Sequence, residues 1–207
     1  KKIKIIYCPP NTLIDLMTKK FLKTRIEVGA QNCHQSLSYA PLTGSINPSM
    51  LKSVGAKYVI IGHSENRQAG ETDKLINLKV KTAIKSGLKV IFCIGETLGH
   101  KRKKITKRIL LRQIKLGLDK VQKKNIIIAY EPVWSIGTGI IPKSDELLKT
   151  IDFIKNKLKN NKVLYGGSVN PKNIRDLKSI KNIDGFLIGG ASQEPKKFID
   201  IIKKTYN

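Results

Sequence analysis

With 207 residues, 40% of them hydrophobic, the chain has the length of a single domain with a sizeable core. Its 40 Lys plus Arg against 15 Asp plus Glu give a formal charge of +25, yet the lysines spread along the whole chain and join no aromatic stripe, which argues for solvated helix faces and against specific nucleic-acid binding. No apolar run approaches the roughly 20 residues a bilayer requires, and Cys8, Cys33 and Cys93 form neither a short metal-binding spacing nor an even disulfide set, so a cytoplasmic protein with no membrane contact and no metal is expected.

Short β-branched runs bounded by Gly, Pro or Asn predict strands over residues 3–8, 26–30, 58–62, 88–94, 126–131, 162–166 and 185–189. Between them, apolar residues recur every three or four positions with lysines opposite, most clearly over 72–86 and 144–159, which predicts helices. The dense basic run Lys101 to Arg108 reads as the wet face of another helix. Strands that are apolar without alternation are buried on both faces, as in a parallel sheet sheathed by helices. Strand starts recur roughly every 30 residues, close to the spacing in an eight-unit (β/α)8 barrel of about 250 residues, so one barrel domain about a unit short is expected. A doubly wound open sheet is the competitor. Against it, the turn after the first strand reads Cys8-Pro9-Pro10-Asn11 and has no dinucleotide-binding glycines.

A parallel barrel collects its chemistry at the C-terminal ends of strands. There His63 precedes a helix for which Ser64 is the expected N-cap; the ring is either structural or a neutral hydrogen-bond donor held uncharged by the helix end. Glu131 ends another strand, followed by the apolar stretch Val133 to Ile136 and a Gly137-Thr138-Gly139 hinge. That pattern suits a base beneath a lid whose closure expels water and raises basicity, or else a surface Glu paired with a lysine. Gly166-Gly167-Ser168 and Gly189-Gly190 follow the last two strands, where backbone amides often cradle phosphate, although tight turns also explain glycine pairs. Taken together, the groups point to proton transfer beside a carbonyl on a small phosphate ester.

The stretches Ala30-Gln31-Asn32, Gly62 to Glu65 with Arg67, Cys93 to Glu96, Tyr130 to Gly139, Tyr165 to Val169 and Gly189 to Ser192 resemble the triosephosphate isomerases. The resemblance implies a TIM barrel enzyme of glycolysis and gluconeogenesis that needs no cofactor. In it Glu131 moves the proton, neutral His63 stabilises the enediolate, and Glu65 is a third catalytic carboxylate. Gly137, Ser168, Gly189 and Gly190 would hold the phosphate of the triose substrate; Ser64 and Cys93 would support the pocket, and Tyr165 with Ser168 would latch the lid. It also implies a homodimer through the long loop 32–46, which includes Tyr39, Pro41 and Leu42. The family opens with a strand ending in Asn-x-Lys, whose lysine binds substrate. Here residue 1 already matches the second strand and no lysine fills that place, so the first unit is expected to be missing, at a loss of ~10² to 10³ in turnover. A barrel that binds triose phosphate without turnover, and a basic nucleic-acid-binding protein, are the alternatives.

Overall fold

The computed structural model describes residues 3–37, 40–159 and 161–206; Tyr39 lies outside them. Seven strands follow one another in sheet order as they do in sequence, β1 (Ile5–Tyr7), β2 (Ile26–Ala30), β3 (Tyr58–Ile61), β4 (Lys89–Ile94), β5 (Ile126–Tyr130), β6 (Lys162–Tyr165) and β7 (Gly185–Phe186). By its internal contacts the chain forms two compact units, one of residues 3–93 with 113–127 and the other of residues 94–112 with 128 onward.

In the first unit β1 to β4 pair in parallel, with Ile5 opposite Ile26, Gly29 opposite Tyr58 and Tyr58 opposite Lys89. All four residues of β3 are buried, as are Val90 to Ile94 of β4, which is why these strands read as unbroken apolar runs. Helix α1 (Ile14–Phe21) precedes β2, α2 (Pro48–Ser53) precedes β3, and the short α3 (Ser64–Gln68) follows it. Helix α4 (Asp73–Lys85) starts where the Thr72 side chain accepts the Leu75 N–H, and it buries Ile76, Val80 and Ala83 completely, one stripe at helical spacing. Each such aliphatic side chain contributes roughly 1.5 to 3 kcal/mol by leaving water.

The second unit carries the ends of β4 and β5 with β6 and β7. Glu131 N–H donates to Ile94 O and Gly166 N–H to Tyr130 O, both at 2.8 Å, so the ladders extend one residue past β5 and β6. Strand β6 pairs in parallel with β7, Leu164 opposite Gly185. Helix α7 (Ser144–Lys157) buries Leu147, Ile151 and Ile154 on one face, and α8 (Ile174–Ser179) and α9 (Pro195–Tyr206) close the chain.

Three expectations are corrected here. The basic run does not form one helix: α5 (Leu98–Arg102) and α6 (Thr106–Gly117) are separated at Lys104, whose left-handed φ of 56° interrupts the helical backbone. Ser64 is not the N-cap but the first residue of α3; the extended residue before it, His63, caps the helix instead. The last strand is Gly185–Phe186, not 185–189, because only those residues pair with β6 as a strand, followed by one more bond from Leu187 N–H to Tyr165 O.

Candidate active site

Glu131 sits where β5 runs out of apolar residues, and its side chain is almost wholly buried, at 2% exposure. Its backbone lies hard against Gly95: a Cβ at that position would fall 1.8 Å from the Glu131 carbonyl oxygen, so no other residue fits beside the Glu131 backbone. The carboxylate arm in turn packs over Gly166.

The loop after Glu131 is tied down at several points. Val133 to Ser135 form a 3-10 turn, and Ser135 is fully buried. Its hydroxyl donates to Ile140 O at 2.5 Å, which commits its one proton, so the Tyr165 hydroxyl 3.0 Å away is the donor in that pair. Burial pushes the Tyr165 phenol up to about 12, which keeps that proton in place. The loop's far end is held by Ser168, whose hydroxyl accepts the Gly139 N–H at 3.2 Å. Tyr165 and Ser168 both bond to the loop that follows Glu131, one at its buried Ser135 and one at Gly139.

Glu96, which carries no role in the sequence reading, belongs to the same unit. It is 1% exposed and accepts hydrogen bonds from Trp134 Nε1 at 2.9 Å and from the Tyr130 hydroxyl at 3.1 Å. The rule that singles out Glu131, a carboxylate closing a buried strand, would have found it after β4. Burial raises the Glu96 carboxyl above its ordinary 4.5, partly offset by these two donors and by Lys101. The folded chain therefore binds this proton more tightly than the unfolded chain. Glu96's contribution to stability is present below about pH 4.5 and is lost as pH rises through the raised folded value. Thermal midpoints of wild type minus Glu96→Gln, followed from about pH 4 to about pH 7, are expected to fall with pH. A flat difference would contradict the buried, proton-retaining carboxyl.

The glycine pairs differ from one another. At Gly167 a Cβ would meet the Tyr165 hydroxyl at 2.2 Å and Ser135 Oγ at 2.6 Å, so close packing against the lid requires glycine there. Around Gly189, Gly190 and the lid's Gly137 a Cβ would meet nothing within 4 Å, and crowding does not explain these three. Gly190 opens a 3-10 turn. Gly190→Ala is expected to keep the wild-type melting point, and, if this amide holds a phosphate as the resemblance implies, to raise KM for a phosphorylated substrate about tenfold, since a methyl beside such an amide disturbs a charge-assisted hydrogen bond. Steady-state kinetics with thermal melts check both halves.

His63, Ser64, Glu65 and Cys93 lie in the other unit. The loop carrying His63 is pinned by Arg67, which donates from Nε to Gly62 O at 2.7 Å, from one terminal nitrogen to Asp73 at 2.7 Å and from the other to Cys93 O at 3.1 Å. One guanidinium thus joins the ends of β3 and β4 to the start of α4. His63 Nδ1 accepts the Glu65 N–H at 3.4 Å as the N-cap of α3. A neutral ring that accepts at Nδ1 carries its proton on Nε2. Ser64 is buried, Cys93 is fully buried, and Glu65 is the exception: its side chain is 81% exposed, with Oε2 3.7 Å from His63 Nδ1. Among the described residues no group of three His, Cys, Asp or Glu is arranged to hold a metal ion.

The sequence model of the family described as Triosephosphate isomerase matches residues 1–205. The triosephosphate isomerase of Thermodesulfovibrio yellowstonii is 43% identical over 205 residues, covering 94% of this chain and 83% of its own length. That of Clostridium novyi is 42% identical, covering 96% and 84%. The crystal structure of triosephosphate isomerase from Bartonella henselae superposes with a TM-score of 0.91 at 36% identity, covering all of this chain and 88% of that one. The seven parallel strands with their intervening helices are therefore those of the TIM barrel fold class, and the chain belongs to the triosephosphate isomerase family.

Proposed function

We propose that the chain interconverts dihydroxyacetone phosphate and D-glyceraldehyde 3-phosphate through an enediolate, with no cofactor. The Glu131 carboxylate takes a proton from the carbon beside the carbonyl, the C–H electron pair moves into the enediolate, and the same proton returns to the neighbouring carbon. The Nε2–H of neutral His63 donates to the enediolate oxygen and Glu65 assists proton movement between the oxygens. The amides of Gly137, Ser168, Gly189 and Gly190 hold the phosphate, while Ser64 and Cys93 support the histidine loop. The observation that carries this reading is Glu131 itself, a buried carboxylate at a strand end under a loop bonded down by Tyr165 and Ser168.

We infer a single (β/α) barrel domain because the divisions between the two compact units cut through β4, α6 and β5, and domain boundaries fall in exposed linkers, not inside strands. A homodimer through the loop 32–46 is supported by that loop's anchored base. His34 N–H donates to Ile46 O at 2.8 Å, and Asn32 is bonded to Glu71 at 2.9 Å and to the nearly buried Lys79 at 3.1 Å. Three free thiols favour a reducing, cytoplasmic setting.

None of the seven strands of the described residues ends in the Asn-x-Lys of the family's first unit. The test is a coupled isomerase assay of the chain as given and of the chain extended by such a strand and its helix. Turnover is expected in the extended form, with the chain as given ~10² to 10³ slower. No turnover in either would reject the reading.

A further inference from the structure

Lys101 occupies a place that neither the proposed chemistry nor the phosphate cradle accounts for. Its ammonium lies 3.6 Å from the centroid of the Trp134 ring, whereas the other lysines over aromatic rings among the described residues stand at 5.2 to 5.8 Å. The same ammonium reaches both carboxylate oxygens of Glu146, at 2.9 and 3.0 Å. Trp134 stands at the entry to the lid, three residues after Glu131, and Glu146 lies in the first turn of α7, just past the lid's exit. The indole is fixed from two directions, its N–H on Glu96 at 2.9 Å and its face under the cation. Lys101 is itself placed by the start of α5, where Thr97 caps the helix and Thr97 O accepts the Lys101 N–H at 3.0 Å. One charge therefore contacts a residue near the start of the loop and another just past its end.

We propose that Lys101 is a positioning residue for the lid: by bridging the Trp134 ring and Glu146 it clamps the two ends of the loop 132–143 in the arrangement in which Tyr165 and Ser168 can hold it. It touches no substrate and acts through Trp134. The inference rests on the isomerase reading for its kinetic consequence but not for its structural one. Trp134 is the sole tryptophan of the chain, so its fluorescence reports the clamp directly and without turnover.

The test uses the full chain, extended by the Asn-x-Lys unit if activity requires it, with Lys101→Met, Lys101→Arg and Glu146→Gln compared with wild type. Met keeps the apolar stem and removes the charge; Arg keeps the charge and stacks on the ring. Lys101→Met is expected to raise the acrylamide quenching constant of Trp134 about two- to threefold and to lower kcat/KM roughly 3- to 30-fold, the range of a partly desolvated cation–π contact. Lys101→Arg is expected to restore both, and Glu146→Gln to move both in the same direction as Lys101→Met by a smaller factor. Should Lys101→Met damage the fold, the circular dichroism will show it, and Glu146→Gln then carries the test with Lys101 intact. Unchanged quenching in Lys101→Met, or an Arg variant that behaves like Met, would overturn the clamp. An inactive wild type would overturn the isomerase reading and leave the quenching comparison standing.

Discussion

Glu131→Gln is expected to lower kcat by about 10³ to 10⁴ while leaving KM within a fewfold of wild type. The carboxamide has nearly the same shape as the carboxylate, so the packing of the side chain over Gly166 survives, and the backbone bond from Glu131 N–H to Ile94 O is untouched. What is lost is the one atom type that can accept a carbon-bound proton and give it back. In the proposed site the phosphate is held by backbone amides and not by the Glu131 carboxylate, so substrate binding has no reason to weaken. A drop of this size with KM unchanged assigns the proton to Glu131. A variant that turned over within tenfold of wild type would move the base elsewhere and leave the buried carboxylate as a structural group. Coupled kinetics with a thermal melt separates that case from simple unfolding.

The strands were legible because burial on both faces leaves an unbroken apolar run, and the run in β3, Tyr58–Ile61, is buried at every position. Glu131 was legible for the converse reason, as a charge where such a run stops. The last strand was not, because Leu187 and Ile188 are as apolar as a strand requires and yet the ladder goes past Phe186 by only the one bond from Leu187 N–H. What decides there is pairing with β6, a tertiary fact that local composition does not contain. The break in the basic run was hidden in the same way: Lys104 adopts a left-handed backbone that nothing in its side chain announces. Ser64 has the side chain an N-cap favours, yet His63 holds that place, because the extended backbone of His63 leaves Ser64 inside the helix. Glycines mislead most. Gly167 reads in sequence as an anion cradle, and the structure adds that Tyr165 and Ser135 fill the space a side chain would take there, whereas Gly189 and Gly190 are uncrowded.

Gly95→Ala is expected to destabilise the protein by about 3 kcal/mol or more, a fall of roughly 6 to 12 °C in melting point for a chain of this size. The added methyl would lie 1.8 Å from the Glu131 carbonyl oxygen and 2.6 Å from its carbonyl carbon. Both are backbone atoms, so no rotamer change relieves the overlap. The approach is fixed on either side by Glu131 N–H to Ile94 O at 2.8 Å and Val133 N–H to Glu96 O at 3.0 Å, and relief requires breaking at least one of them. Either break displaces the Glu131 carboxylate or the lid that begins at Val133. A displacement near 1 Å lowers turnover by about 10², so whatever fraction remains folded is expected to be slow as well as unstable. Gly190→Ala, at an uncrowded position, supplies the control for the melting point alone. A Gly95→Ala protein that melts and turns over like wild type would mean that the ends of β4 and β5 do not approach this closely, and the placement of Glu131 argued from that contact would fall with it.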